Sequence, residues 1–174
     1  MGRPTDTRDR ILATARELFL EKGVRDTSLQ HIADRLGITK PALYYHFSSR
    51  DDLLRTIVTP MFEELEAFLA EQAGATAEEL LGAYFDLAWR RRDTLVMILS
   101  DLSVLHELDL IARMLAFREG LTTILMGGAP ELGARIRATV AVGGLSDTVV
   151  MFPREPYEQV RQAAVAAAIM ALRG

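Results

Sequence analysis

Apolar residues recur at intervals of three and four along most of the chain, and this spacing constrains the fold more than any other feature. The interval matches the turn of an amphipathic α-helix that buries one face. No segment shows a convincing alternation of apolar and polar residues, which would indicate a β-strand. We therefore predict an all-α protein with about nine helices.

Glycines and capping residues bound the first three predicted helices. The first helix ends at Gly23, in the usual position for a terminating glycine. Thr27 and Gln30 have the spacing of a capping box for the second helix, and Gly37 closes that helix. Thr39 then caps the third helix. The result is two short helices joined by a three-residue turn.

A long fourth helix is predicted from Ser49 and Asp52, which form a second capping box, to about Leu69. Pro60 lies inside this helix. Because proline removes one backbone hydrogen bond, it predicts a kink.

Five more helices are predicted after Gly74, and the Gly-Gly-Ala-Pro sequence at 127–130 forms a loop between the third and fourth of them. The last two are rich in alanine and glycine and are too apolar to remain exposed. They therefore predict a packing interface, either within one chain or between two chains. The five helices are predicted at about 76–91, 93–105, 108–126, 131–152 and 156–172.

Composition excludes several classes of function. The chain has no cysteine, which excludes disulfide scaffolds, thiolate zinc sites and cysteine nucleophiles. The three histidines are scattered, and the sequence contains neither a phosphate-binding loop nor a nucleophile elbow. We therefore predict a protein that is not an enzyme and has no metal or cofactor. No apolar run reaches the roughly 18 residues of a membrane span, so we expect no membrane partner and a cytoplasmic location.

Charge is distributed unevenly along the chain. Residues 1–60 carry 10 basic and 8 acidic residues, whereas residues 61–174 carry 10 and 16. The acidic isoelectric point, near 5.4, therefore describes mainly the C-terminal part. Because electrostatic attraction is local, the N-terminal part can still face nucleic acid.

Residues 27–50 carry the motif that indicates function. Two short helices around the turn Gly37-Ile38-Thr39 form a helix-turn-helix, whose second helix fits the major groove of DNA. Leu43 and Phe47 are four residues apart and should face inward. The predicted outward set is Lys40, Ala42, Tyr44, Tyr45 and His46.

Three stretches resemble the tetracycline-repressor (TetR) family of bacterial regulators: TSLQHIA at 27–33, GITKPALYYHF at 37–47 and RDDLL at 50–54. The resemblance implies a dimer that reads a palindromic operator. It also implies a helical body that binds a small molecule and releases DNA. The corresponding domains are 1–48, a helix-turn-helix DNA-binding domain, and 49–174, a helical ligand-binding and dimerisation domain.

The resemblance also implies roles for single residues. This chain departs from the commoner family pattern at Lys40-Pro41-Ala42, which lacks the middle glycine, and at Arg50, where lysine is usual. Each residue has a structural alternative, such as packing of Tyr44 against the fourth helix or simple solvation of Lys40. The implied phosphate contacts are Thr27, Ser28, Thr39 and Arg50. The implied base-facing residues are Gln30, Lys40, Pro41 and Ala42. The residues implied to hold the DNA backbone or the bases are Tyr44, Tyr45 and His46.

The C-terminal part carries apolar and aromatic residues suited to a pocket or to a core. A pocket also needs a few polar groups, for which Asp101, His106 and Asp147 are candidates. We expect Pro60 to act as a hinge through which ligand binding swings the N-terminal segment, with a purely structural kink as the alternative. The predicted homodimer forms through about 131–172. The predicted pocket lining is Phe85, Trp89, Phe117 and Leu121.

Together these features predict a ligand-responsive transcriptional regulator. We expect a repressor that binds its operator as a dimer and is released by a small, largely apolar effector. The alternative is a helical small-molecule-binding or scaffold protein without DNA activity. That alternative predicts no salt-dependent affinity for DNA and no effect of Tyr45→Ala on binding.

Overall fold

The computed structural model describes residues 4–127 and 131–173, and side chains from residue 6 onward. No strand occurs within these residues, and the all-α prediction is confirmed. The predicted loop at 127–130 falls largely outside the described residues. The helices are α1 (Pro4–Lys22), α2 (Leu29–Leu36), α3 (Lys40–His46), α4 (Arg50–Glu71), α5 (Ala77–Arg90), α6 (Arg92–Ser100), α7 (Ser103–Glu107), α8 (Ile111–Met126), α9 (Leu132–Met151) and α10 (Tyr157–Arg173).

The described residues contain ten helices, because the predicted sixth helix is divided into α6 and α7. At the break, the Asp101 carboxylate accepts hydrogen bonds from the Ser103 amide at 3.1 Å and from its hydroxyl at 2.6 Å. Such local bonds compete with continuation of a helix. The next helix begins at Ile111 rather than at residue 108, since Asp109 has a φ of 57° that interrupts the helical path.

The cap of α2 differs from the prediction. Ser28, not Thr27, is the N-cap, and His31, not Gln30, completes the capping box. Thr27 is unavailable because its hydroxyl is buried and donates to backbone carbonyls of the preceding segment. The predicted Thr39 cap of α3 is confirmed, as is Gly37 in the left-handed conformation after α2.

The described chain forms two compact units. The N-terminal unit comprises the residues up to Met61 together with Asp93–Leu110, and the C-terminal unit comprises Phe62–Arg92 and the residues from Ile111 onward. The functional division predicted after residue 48 stays a prediction.

The N-terminal unit is built around the apolar faces of its short helices. α1 packs on α2, and α2 packs on α3. Burial of these faces supplies the main driving force for this unit. Its fully buried side chains include Ile11, Leu18, Phe19, Ile32, Leu43, Phe47, Leu53 and Leu54.

In the C-terminal unit, α9 packs against α10, α8 and α5, and α10 also packs against α5. A polar network joins α5 to α10: the Asp86 carboxylate accepts from the Tyr157 hydroxyl at 2.6 Å and from Nε of Arg161 at 2.7 Å. Burial acts to raise the pKa of Asp86, but the hydrogen bonds from Arg161 and Tyr157 lower it below its ordinary value. Gly82 leaves room for this network, since a Cβ there would lie 2.9 Å from Nη2 of Arg161.

Pro60 lies inside α4, as expected. The next residue, Met61, is the last residue of α4 that belongs to the N-terminal unit.

Across residues 4–127 and 131–173, none of the helices has the length and apolar character needed to cross a bilayer.

Candidate nucleic-acid interface

The third helix presents a polar and aromatic outer face above a fully buried inner one. Leu43 and Phe47 are buried, as their spacing predicts. Tyr45 is 84% exposed and Tyr44 is 46% exposed. Lys40, Pro41 and Ala42 are also exposed, so the first turn of α3 is free to approach base edges.

Two contacts arrange the outer side chains of α3. Nζ of Lys40 lies 5.7 Å from the centre of the Tyr44 ring, within range of a cation–π interaction. The Tyr45 and His46 rings meet edge to face, with centres 5.2 Å apart. Side chains held in this way lose less conformational entropy when they bind a groove.

The starts of α2 and α3 are both exposed. Ser28 accepts a hydrogen bond from the His31 amide at 3.2 Å, and Thr39 accepts from the Ala42 amide at 3.3 Å. Nε2 of Gln30 donates to Oδ1 of Asp34 at 2.6 Å, which fixes the direction of its side chain along α2. Hydroxyls at exposed helix starts can serve as donors to phosphate oxygens.

Two residues that the resemblance assigns to phosphate are engaged elsewhere. The buried Thr27 hydroxyl donates to the carbonyls of Gly23 at 2.8 Å and Leu18 at 3.2 Å. Since a hydroxyl has one hydrogen, Thr27 has no free donor for DNA. Arg50 donates through Nη2 to the Val24 carbonyl at 2.7 Å, and its side chain is only 27% exposed.

Arg8 is a candidate that sequence reasoning missed. Its exposed guanidinium lies 5.0 Å from the centre of the Phe47 ring, at the C-terminal end of α3. This places a cation of α1 beside the C-terminal end of α3. The available signal was its position as a basic residue in the first helix, but the contact with Phe47 depends on tertiary packing.

Three of the four predicted pocket residues lie in two aromatic clusters of the C-terminal unit. Phe85 stacks on Trp89 at 5.6 Å, and both rings contact Tyr157. Phe117 lies 5.5 Å from Tyr84, between ring centres. Trp89 is half-buried. The other three, Phe85, Phe117 and Leu121, are buried.

The polar groups inside this unit are not those named from the sequence. His106 and Asp147 are exposed, and Asp101 bonds to Ser103. Instead the Tyr84 hydroxyl lies 2.6 Å from Oγ of Ser146 in the interior. Burial raises the pKa of Tyr84, so the phenol stays neutral.

An open groove in the C-terminal unit passes Phe68, whose ring lies 6.4 Å from Tyr84. At its rim Arg91 forms a close ion pair with Glu64. Arg92 packs on Trp89 instead, so the run of three arginines does not converge on one anion site. The groove is lined by Glu64, Ala67, Phe68, Glu71, Leu87, Arg90 and Arg91.

Residues 11–57 match the family model described as bacterial regulatory proteins, tetR family. Over 53 residues the chain is 40% identical to the HTH-type transcriptional repressor BepR of Brucella suis, a match that covers 30% of this chain and 25% of BepR. In three such relatives the matched segments span between 25% and 46% of their length.

Two solved structures share the fold over nearly the whole chain. A transcriptional regulator of Aquifex aeolicus VF5 superposes with a TM-score of 0.78 at 22% identity, covering 94% of this chain and 98% of that one. The ketosteroid transcriptional regulator KstR2 of Mycobacterium tuberculosis gives 0.77 at 22% identity, covering 97% and 96%. At this identity the likeness shows the fold alone.

Proposed function

Because residues 11–57 match the model of the tetR family of bacterial regulatory proteins, we propose that the chain is a member of that family and represses transcription by binding operator DNA through α2 and α3. The observation that carries the proposal is the outer face of α3, where Tyr45 is exposed on the side opposite the buried Leu43. A solvent-facing aromatic residue on a short, rigid helix is suited to contact with DNA. Operator binding would require a location in the bacterial cytoplasm, which is part of this proposal.

We assign the contacts according to exposure. Lys40, Pro41 and Ala42, at the start of α3, face base edges, and Gln30 approaches from α2. Tyr44, Tyr45 and His46 follow along the groove and hold backbone or bases. Ser28, Thr39 and Arg8 contact phosphate, which supplies most of the affinity. Thr27 is left out because its hydroxyl is buried and engaged.

We propose that two chains dimerise through about 131–172. Val140 and Met151 on α9, and Met170 on α10, are large apolar side chains that remain exposed. Exposed alanines such as Ala163 and Ala167 lie on α10 and permit close approach of helices. A two-fold dimer also suits a palindromic operator, since each subunit then reads one half-site.

The proposed effector is a small, largely apolar molecule with a polar group, bound at the groove beside Phe68. Binding there requires the Phe68 ring to move from its position against Tyr84, which brings Phe117 and the hydroxyl of Tyr84 into reach. Phe85 and Trp89 lie in the separate cluster with Tyr157, so their predicted role in lining the pocket, like that of Leu121, stays a prediction. We place the hinge for the release of operator DNA at Pro60. Pro60→Ala should then change the DNA release that the effector induces, and unchanged release would contradict the hinge.

The test begins with selection of DNA from a random library by the purified protein, followed by fluorescence anisotropy on the selected sequence across a salt series. Tight binding with a steep salt dependence is expected, and Tyr45→Ala should weaken it strongly. Leu99→Ala is the matched control, because Leu99 is also exposed but lies on α6. Failure to enrich any sequence, with equal weak binding by both variants, would favour a helical small-molecule-binding or scaffold protein.

A further inference from the structure

Four charged side chains of the N-terminal unit form a cluster where the α1–α2 turn, the start of α4 and α7 meet. Nε of Arg25 lies 3.3 Å from Oδ2 of Asp101, and Nη1 of Arg50 lies 3.8 Å from Oε2 of Glu107. We call these four residues the charge cluster. It joins the turn before α2 and α3, which we call the reading helices, to the segment that contains α7.

Arg50 is the centre of this cluster. Nη2 donates a 2.7 Å hydrogen bond to the Val24 carbonyl, while Nη1 lies 3.8 Å from the carboxylates of both Asp51 and Glu107. Nε is buried and has no hydrogen-bond partner among the described residues. The guanidinium is therefore turned toward the protein and held by a backbone carbonyl and by negative charge.

Asp101 holds the other side of the cluster. Its side chain is 12% exposed, and its Oδ1 accepts both hydrogen bonds from Ser103. Those bonds, followed by the charges of Arg25 and Arg50, hold the pKa of Asp101 below its ordinary value. The carboxylate is ionised at neutral pH. Removing Arg25 or Arg50 would leave this largely buried carboxylate with less compensating positive charge.

The cluster acts on the turn that leads into α2. Val24 has a fully buried side chain and its carbonyl accepts a hydrogen bond from Arg50, while the next residue, Arg25, is largely exposed and forms an ion pair with Asp101. Ser28 then caps α2, and α2 packs on α3. Fixing the turn from both sides therefore fixes the direction in which both reading helices point.

We propose that Arg50 is a positioning residue for the reading helices rather than a phosphate contact, and that Asp101 and Glu107 hold the α1–α2 turn with it. The proposal rests on the proposed DNA-binding function. It replaces the phosphate role that the resemblance gives to Arg50. Arg50 acts on DNA through Val24 and α2, so its loss impairs recognition of the operator more than general attraction to DNA.

Charge-removing variants separate positioning from simple electrostatics. Asp101→Asn and Glu107→Gln each remove a negative charge, which by Coulomb attraction alone strengthens binding to all DNA. Positioning predicts the opposite for the operator: its affinity relative to random DNA falls about tenfold. Glu21→Gln is the matched control, because it removes one acidic charge of the same unit from an exposed pair with Arg35. Operator preference in that variant stays at the wild-type value.

Arg50→Lys tests the central residue directly. Lysine keeps the charge for a phosphate but cannot reproduce the forked contact with Val24 and Glu107. We expect a loss of operator preference with an unchanged salt slope. If Arg50 instead contacts phosphate, Arg50→Gln lowers the slope of log affinity against log salt concentration by about 0.9 and weakens binding to all DNA equally. That result, together with wild-type preference in Asp101→Asn and Glu107→Gln, overturns the proposal.

Hydrogen exchange of the DNA-free protein gives a readout that does not depend on DNA binding. Amides of the turn at residues 23–28 should exchange several-fold faster in Asp101→Asn and Glu107→Gln than in the wild type or in Glu21→Gln. If Arg50→Lys does not fold, the two carboxylate variants decide the matter. Absence of DNA binding by the wild type refutes the proposed function. Unchanged exchange of the turn amides in Asp101→Asn and Glu107→Gln refutes the positioning role of the charge cluster.

Discussion

The network at Asp86 gives a prediction whose size can be worked from its geometry. The Asp86 carboxylate accepts three hydrogen bonds, one from Tyr157 and two from Arg161, at 2.6, 2.7 and 3.2 Å. Hydrogen bonds to charged groups contribute about 1.5–3 kcal/mol each when shielded. Since both members of the Asp86–Arg161 ion pair are about one-third exposed, the ionic part is reduced by solvent screening. Asp86→Asn should therefore lower the free energy of unfolding by about 2 kcal/mol at pH 7.

The pH dependence of this loss tests its cause. Because the pKa of Asp86 is lowered in the folded state, its contribution is present above the ordinary pKa of an unfolded aspartate and is lost as the pH falls through the folded value. Below that value the wild-type side chain is neutral, like asparagine. The difference between wild type and Asp86→Asn should therefore shrink toward zero in acid.

The assay is urea unfolding at constant protein concentration, repeated from pH 7 to about pH 3. Glu155→Gln is the control, since it removes an exposed acidic charge from the same unit. Tyr157→Phe, alone and combined with Asp86→Asn, measures the coupling between the two side chains. A difference that stays constant across the pH range, or one below about 0.5 kcal/mol at pH 7, would refute an ionic network that joins α5 to α10.

Three further predictions concern stability and assembly. Leu43→Ala should lower unfolding stability by about 2–5 kcal/mol, because it empties a fully buried site beneath α3, and a thermal melt compared with Tyr45→Ala checks this. Gly37→Ala should cost about 1 kcal/mol despite open space around the position, since φ is +66° there; Gly133→Ala, within α9, should instead be neutral or stabilising in the same melt. Met170→Asp should convert a dimer to a monomer in sedimentation experiments while helicity is retained, and an unchanged sedimentation coefficient would place the dimer interface elsewhere.

The buried and exposed faces of α3 could be predicted from sequence because they depend on local periodicity. Leu43 and Phe47 are one helical turn apart, and whichever way α3 packs, a buried pair at this spacing turns Tyr45 outward. The same reasoning located the Thr39 cap of α3, because its bond forms within one turn of chain. Tertiary packing had little freedom to alter these features.

Residues with two possible partners were predicted less well. Thr27 and Ser28 are adjacent and both can cap α2, and the choice is made by the carbonyls of Leu18 and Gly23, which occupy the Thr27 hydroxyl. Arg50 has the charge of a phosphate contact, but its partner Val24 lies 26 residues away in the chain. Contacts to phosphate are made by generic cations and hydroxyls, and these groups are also the ones most easily recruited by the protein itself. The exposed face of α3 can therefore be predicted from periodicity, while the partners of cations and hydroxyls such as those of Arg50 and Thr27 must be identified from the folded structure.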